Sequence, residues 1–187
     1  MRAVAATCKG RLRQVPKGQI FWRAQLGHSS GIVDQDRGYE QDIALPPSRM
    51  KPRRERALEG RANPKGIPCL YLSNKREAAM SEVRPWVGAL VSVGQFEIVR
   101  NLTIVDCSVL HGQYFALAFR NRVFMIATGT LWAAIDTTFS EPVTDSDDSA
   151  DYAATQIIAE LFRDEGYMAS RIKVPLAKMA TALPFSI

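Results

Sequence analysis

Two arginines in distinctive surroundings suggest an anion-binding site. Arg23 follows Trp22 in a short apolar run, and an arginine that is partly buried needs an anion beside it. Arg61 lies in the segment Gly60-Arg61-Ala62-Asn63-Pro64-Lys65-Gly66, where glycine permits close backbone approach and the planar guanidinium suits a phosphate or carboxylate. Explanations without a ligand stay open for both features. Arg23 is then an edge-strand arginine that faces water, and the segment from Gly60 to Gly66 is a solvated turn.

A tyrosine, a glutamate and a glutamine are further candidates. Tyr71 lies on a predicted short strand, and Glu82 lies late on the predicted helix that follows. A glutamate near a helix C-terminus opposes the helix dipole, a small cost that sometimes marks function. Gln156 lies on a predicted helix over Tyr152–Arg163. The alternatives without a functional role are that Glu82 is a surface glutamate and that Gln156 is an exposed polar residue.

The composition excludes several classes of protein. The chain has 187 residues, enough for one domain, and its net charge of +5 permits nucleic-acid binding without arguing for it. The cysteines Cys8, Cys69 and Cys107 lack CxxC spacing, and His28 and His111 are the histidines, so neither a disulfide framework nor a metal site is expected.

The expected location is the cytoplasm, with no membrane contact. The longest uncharged apolar stretch, Val123–Ile135, is shorter than the roughly 18–20 residues of a membrane span. The first residues lack the apolar core of a secretory signal.

The elements that must position these side chains predict an α+β domain. A capping-box spacing from Asn74 to Glu77 opens the helix that carries Glu82, and Pro85 ends it near Val83. The other predicted elements are an irregular basic segment over 1–19, a strand over 20–24, a partly irregular segment over 27–66, a strand over 69–72, strands over 90–99 and 102–107, a helix over 114–135 broken near Gly129, a helix over 152–163 capped by Gly166, and a returning strand.

Taken together, five sequence blocks resemble the RES domain family over roughly residues 20–167. The blocks are Phe21-Trp22-Arg23-Ala24, Gly60 to Gly66, Leu70-Tyr71-Leu72-Ser73, Ala79-Met80-Ser81-Glu82-Val83-Arg84-Pro85, and Tyr152 with Thr155-Gln156. The resemblance implies a single domain related to ADP-ribosyltransferases, with an NAD cleft over a split sheet. It also implies a toxin of a toxin–antitoxin pair that destroys NAD by hydrolysis or phosphorolysis, or that transfers ADP-ribose.

The resemblance also implies a role for each candidate residue. Arg23, Arg61, Tyr71 and Gln156 are expected to bind NAD as substrate, with Glu82, Arg23 and Tyr71 acting in catalysis and no metal involved. Breaking the nicotinamide–ribose bond builds positive charge on the ribose, which a carboxylate stabilises. Water, phosphate and a protein side chain all remain open as the acceptor.

The expected partner is a helix-turn-helix antitoxin that covers the cleft, so nucleic acid is contacted only through the partner. Two other functions stay open. One is a catalytically inactive RES remnant that only binds an antitoxin. The other is a nucleic-acid-binding module built on a basic cluster, which we interpret instead as a solvated segment. The cluster comprises Arg49, Lys51, Arg53, Arg54 and Arg56.

The segment 168–187 departs from the family pattern, which has a serine on a final strand. Codons compatible with this segment read DGIAYKSPFGEDGYSIALFD after a one-base shift, which puts a serine at the position of Val174. We therefore hypothesise a frameshift, with a naturally divergent tail as the alternative. Pro175 and Pro184 favour an edge or a loop, so we expect the segment not to supply a central strand. Since the segment also lacks the family serine, we expect the chain as written to bind and cleave NAD poorly.

Overall fold

The computed structural model describes residues 2–34, 39–110, 123–140, 150–167, 169–172 and 180–184, which form an α+β domain. The strands are β1 (Leu12–Val15), β2 (Ile20–Leu26), β3 (Ser29–Asp34), β4 (Tyr39–Ile43), β5 (Cys69–Ser73), β6 (Val91–Glu97), β7 (Leu102–Asp106), β8 (Ala169–Ile172) and β9 (Ala180–Pro184). The α-helices are α1 (Arg2–Cys8), α2 (Pro47–Met50), α3 (Arg76–Glu82), α4 (Val123–Ser140) and α5 (Ala150–Asp164). Short 3₁₀ turns cover Lys9–Arg11, Arg54–Arg56 and Cys107–Leu110.

The main sheet brings the candidate residues onto neighbouring strands. Its order is β1-β7-β8-β9-β5-β2-β6, and β3 and β4 form a separate two-stranded ribbon. The pair β7–β8 is parallel, whereas β2 runs antiparallel to both β5 and β6. Trp22 of β2 pairs with Ser73 of β5, so Arg23 and Tyr71 lie on adjacent strands.

Two apolar clusters hold the helices and loops against this sheet. Val105 of β7 belongs to a cluster with residues of α1, α4 and α5. In this cluster the rings of Trp132 and Phe162 are stacked, with their centroids 6.0 Å apart. The preceding residue, Ile104, belongs to the second cluster with Leu70 and Leu72 of β5. Because adjacent strand residues point to opposite faces, β7 contributes to both clusters.

Much of the predicted secondary structure is confirmed. Strands cover the predicted runs beginning at Ile20 and Cys69, and β6 and β7 lie within the two predicted β-rich runs. The helix carrying Glu82 ends at that residue, with Val83 as its C-cap. Gly166 follows α5 with a φ of 83°, the left-handed conformation that glycine supplies at helix ends.

Other predictions for the N-terminal half are wrong. Residues 1–19 contain α1 and β1 rather than an irregular segment, because Val4 and Cys8 are buried against the α4–α5 cluster and β1 pairs with β7. The segment 27–66 is partly irregular, as predicted, but it also contains the β3–β4 ribbon and α2. The predicted capping box is absent: Lys75 is the N-cap of α3, without a side-chain cap bond.

The predicted break near Gly129 is also wrong, since α4 is continuous from Val123 to Ser140. A single glycine costs a helix about 1 kcal/mol, which the burial of Trp132, Ile135 and Phe139 outweighs. The rest of that predicted helix falls on residues 111–122, outside the described part of the chain.

The C-terminal segment supplies two interior strands, contrary to the expectation from its prolines. Strand β9 pairs with β8 on one side and with β5 on the other. Pro184 is tolerated because it is the last residue of β9, where a missing N–H costs least. Pro175 and Val174 lie outside the described residues, and the frameshift remains a hypothesis.

Replacing Thr181 tests whether β9 is an interior strand. Thr181 pairs with Leu72 and with Arg171, so Thr181→Pro removes a ladder hydrogen bond inside the sheet. We expect a loss of about 1–3 kcal/mol in the free energy of unfolding, measured by urea denaturation. Thr181→Ala keeps the amide and is the control; equal losses in the two variants would contradict the interior position.

Candidate active site

Two adjoining cavities share Arg23 and Tyr71 in their walls. The first, about 330 Å³, is lined by residues of β2 and β5, by Gly60 and Asn63 of the loop, and by part of the segment before that loop: Arg49, Lys51, Pro52, Arg53, Arg56, Ala57, Leu58 and Glu59. The second, about 230 Å³, is lined by Glu82 and Val83 of the α3 end and by residues of β2 and β5. The predicted anion-binding arginine and the predicted carboxylate therefore belong to one continuous region.

Arg23 has unused hydrogen-bonding capacity at the boundary between the cavities. It lies in the middle of β2, opposite Gly94 of β6. Its Nε and Nη1 atoms are buried and have no hydrogen-bond partner among the described residues. Burial lowers the pKa of Arg23, while Cys69 and Tyr71 act in the opposite direction. A buried guanidinium with free N–H groups favours an anionic ligand, because unsatisfied donors are costly.

Asn63 organises the loop that faces Arg23. The residue is buried, and its Nδ2 donates to the carbonyl oxygens of Leu58 (3.0 Å) and Ile67 (2.9 Å). Its Oδ1 accepts a 2.7 Å hydrogen bond from the Tyr71 hydroxyl. One side chain thus ties both ends of the Gly60–Gly66 loop to strand β5.

Tyr71 is fixed from two sides. Its hydroxyl donates to Asn63 and accepts a 3.2 Å hydrogen bond from the backbone N–H of Ala62. Burial raises the pKa of Tyr71, so the phenol stays neutral at physiological pH. Because the hydroxyl is used within the protein, the ring is what Tyr71 presents to a ligand.

The close approach of Tyr71 and Asn63 leaves no room for a side chain at Gly60. A Cβ atom at position 60 would lie 2.8 Å from the Tyr71 hydroxyl and 3.1 Å from Asn63 Oδ1. The first distance is shorter than real Cβ contacts, so a side chain at this position displaces the tyrosine. The glycine noted in the sequence therefore serves close packing inside the protein.

Gln156 fastens the same loop to helix α5. Its Nε2 lies within hydrogen-bonding distance of Glu59 Oε1 (3.0 Å) and of the carbonyl oxygens of Gly60 (3.1 Å) and Asn63 (3.2 Å). The side chain lines neither of the two cavities. Its amide nitrogen holds the loop, which positions the residues that do line them.

Arg61 connects the loop to the end of helix α4. Its Nη1 donates a 2.7 Å hydrogen bond to the carbonyl oxygen of Phe139, one of the carbonyls that a helix C-terminus leaves unpaired. Arg61 also lowers the pKa values of Tyr71 and Glu82 against the effect of their burial. The guanidinium is therefore near both side chains while it caps the helix.

Glu82 is the last residue of α3 and lines the second cavity. The residue as a whole is exposed, yet desolvation at the cavity wall raises the pKa of its carboxyl group above the usual value. Arg61 and Arg84 oppose this rise. A carboxylate held beside cations but partly desolvated can stabilise developing positive charge.

The basic cluster is exposed except for the half-buried Arg49, in keeping with a solvated segment, but four of its members line the first cavity. These are Arg49, Lys51, Arg53 and Arg56, whereas Arg54 does not line it. The cluster therefore contributes to the same region as Arg23. This role could not be read from a basic run without a fold.

Asn63 is the organising residue that sequence reasoning left without a role. The available signal was an asparagine before a proline in a loop flanked by glycines, a pattern typical of turns whose side chain bonds local backbone. Its partner Tyr71 was identified, but for contact with a ligand. The hydrogen bond between the two requires the loop to fold back onto β5, which no local pattern specifies.

Within the described ranges, no group of three or more His, Cys, Asp or Glu residues is arranged to hold a metal ion. The described helices also include none that is long and apolar enough to cross a membrane.

Comparison with known proteins gives one family match. The family model described as RES domain matches residues 21–178. No curated protein matches the sequence. Among solved structures, a chain from the M. tuberculosis MbcT–MbcA toxin–antitoxin complex is similar, with 12% sequence identity and a TM-score of 0.47, over 98% of this chain and 82% of that chain.

Replacing Asn63 tests its organising role. Asn63→Ala leaves two carbonyl oxygens and the Tyr71 hydroxyl without their partner, so we expect a loss of about 2–4 kcal/mol in the free energy of unfolding. The control is Asn101→Ala, which removes one exposed hydrogen bond to the backbone N–H of Lys17 and is expected to cost about 1 kcal/mol or less. Urea denaturation measures both, and an equal loss would refute the role.

Proposed function

The chain belongs to the RES domain family, and on that basis we propose that it consumes NAD by cleaving the nicotinamide–ribose bond. The observation that carries the proposal is the wall shared by the two cavities. Arg23, with unpartnered buried nitrogens, separates a basic cavity from one that contains Glu82. Both features suit the cleavage of a dinucleotide, because a cation binds its pyrophosphate and a carboxylate stabilises the charge that develops on its nicotinamide ribose.

Arg23 is the proposed main contact of the pyrophosphate. Its free Nε and Nη1 can each donate a charge-assisted hydrogen bond to a phosphate oxygen. Arg61 lines neither cavity, and it is the proposed second contact through the nitrogens that do not bond Phe139. Gln156, whose amide nitrogen bonds the loop, contributes to NAD binding by holding Gly60 and Asn63 in place.

Glu82 is the proposed catalytic carboxylate. When the glycosidic bond breaks, its electron pair leaves with nicotinamide, which becomes neutral, and positive charge develops on the ribose. An ionised Glu82 stabilises that charge and can orient the acceptor. Water, phosphate and a protein side chain all complete the reaction by adding to the ribose carbon, and the proposal leaves the acceptor open.

Tyr71 is proposed to stack on the nicotinamide ring. Its hydroxyl is held by Asn63 and Ala62, which fixes the orientation of the aromatic ring at the boundary between the cavities. A ring fixed in advance loses little conformational entropy when a flat ligand binds to it. Tyr71 in this role is a binding residue that also orders the reacting group.

The proposed partner is a helix-turn-helix antitoxin that covers the cavities of a cytoplasmic toxin. An observation that supports a covering protein is the turn after α3, where Trp86 is 68% exposed and Val87 is fully exposed. This turn begins just beyond Val83, which lines the Glu82 cavity. Exposed aromatic and aliphatic side chains next to a site are typical of protein interfaces.

Measurement of free nicotinamide tests the proposed reaction. We expect the protein to release nicotinamide from NAD, and Glu82→Gln to lower kcat by about 10²–10³-fold because the developing charge loses its carboxylate. Glu77→Gln, an exposed residue on the first turn of the same helix, is the matched control and retains activity. Activity that survives in Glu82→Gln would remove the mechanism, and no release by the intact chain would favour the inactive remnant.

The pH profile tests the environment of Glu82. Because desolvation raises the pKa of its carboxyl group, we expect kcat/KM to fall with decreasing pH at a higher pH than an ordinary glutamate would give, as the carboxylate becomes protonated. Arg84 holds this pKa down, so Arg84→Gln moves the acid limb to still higher pH. Arg76→Gln, on the exposed start of α3, is the control. An acid limb that does not move contradicts the assignment.

A further inference from the structure

The first cavity carries more positive charge than a pyrophosphate needs. Four cationic side chains from one segment join Arg23 in its wall: Arg49, Lys51, Arg53 and Arg56. Glu59 is the acidic residue among those lining it, and its carboxylate accepts a hydrogen bond from Gln156. A pyrophosphate brings one negative charge on each phosphate, which is fewer than the four positive charges of Arg23, Arg49, Arg53 and Arg56 alone.

The basic segment is anchored close to Arg23. Met50, at the end of α2, is buried, and its Cε would lie 3.3 Å from a Cβ at Gly94. Gly94 is the residue paired with Arg23 on the neighbouring strand. Before α2, the N–H of Leu45 donates a 2.9 Å hydrogen bond to Ser92 Oγ on β6. The sheet therefore fixes the start of the segment beside Arg23.

We propose that the first cavity binds the 2′-phosphate of an NADP-type dinucleotide, so that the substrate class is the 2′-phosphorylated dinucleotides. A phosphomonoester carries a charge of about −1.5 to −2, which matches the surplus of cations. Arginines bind such a group with paired hydrogen bonds, and Arg53 and Arg56 are the arginines of the cavity wall farthest along the segment from the Met50 anchor. The inference rests on the proposed function, because it assumes that Arg23 binds the pyrophosphate.

Direct binding tests the subsite without relying on catalysis. The probes are ADP-ribose and ADP-ribose 2′-phosphate, titrated calorimetrically into the full chain. We expect the 2′-phosphate to bind about 10–100-fold more tightly, the effect of hydrogen bonds between charged groups. Arg53→Gln and Arg56→Gln each reduce this preference by about tenfold. Equal affinity for the two probes overturns the proposal.

Arg54→Gln is the matched control. It removes the same charge from the same 3₁₀ turn, Arg54–Arg56, at a position that does not line the cavity. We expect it to retain the preference for the 2′-phosphate. If Arg54→Gln loses as much of the preference for the 2′-phosphate as Arg53→Gln does, the preference arises from the overall charge of the segment, and the proposal is wrong.

Kinetics separate this inference from the proposed function. Nicotinamide release is measured from NAD and from NADP, with the expectation that kcat/KM is higher for NADP and that Arg53→Gln lowers it more for NADP than for NAD. Cleavage of NAD with no preference in either assay overturns the subsite and leaves the proposed function standing. A binding preference without cleavage of either dinucleotide supports the subsite as a binding site and defeats the proposed reaction.

A polyglutamate peptide covers the competing possibility that the cationic wall binds an acidic protein segment. We expect ADP-ribose 2′-phosphate to displace the peptide and to bind more tightly. Tighter binding of the peptide, lost in Arg53→Gln and retained in Arg54→Gln, overturns the assignment to a small phosphorylated ligand.

Discussion

The buried side-chain amide of Asn63 is the constraint on which the candidate site depends. Its two ends have opposite hydrogen-bonding character, so it can donate to the carbonyl oxygens of its own loop and accept from Tyr71 at the same time. No smaller polar side chain reaches both the carbonyl oxygens of the loop and the Tyr71 hydroxyl. Gly60 lacks a side chain in the same place, since a Cβ there would occupy the space of the phenol oxygen. The loop is thus held in one shape before any ligand arrives.

In this site, the residues that hold the loop in place differ from the residue that has free groups to offer a ligand. Gln156 and the Arg61–Phe139 hydrogen bond join the loop to α5 and to the end of α4, so two helices brace a segment that has little regular structure of its own. Arg23 differs, because its buried nitrogens have no partner among the described residues. The unsatisfied donors lie where a ligand is proposed to bind. Buried donors without partners lower the stability of the fold, and such groups are typical of functional sites.

The sequence was informative about the side chains of the site and less so about what holds them. The strands carrying Arg23 and Tyr71, and the helix ending at Glu82, follow from local apolar patterns and from Pro85. Helix α1 could not be predicted this way, because it depends on Val4 and Cys8 reaching distant apolar partners. The role of the basic cluster also needed the fold, since only packing brings that segment beside Arg23. Hydrogen bonds such as that of Gln156 join residues far apart in the chain, and no spacing rule encodes them.

The pairing of β9 with β5 has a consequence for the order of folding. Tyr71 lies on a strand whose neighbour on one side, β2, is the nearer of the two in sequence, while its neighbour on the other side is supplied by residues 180–184. Contacts between distant parts of a chain form late, because the intervening loop must close first. A chain still emerging from the ribosome therefore carries the arginines and the glutamate long before it has the complete sheet beneath them. The candidate site is therefore completed among the last parts of the protein.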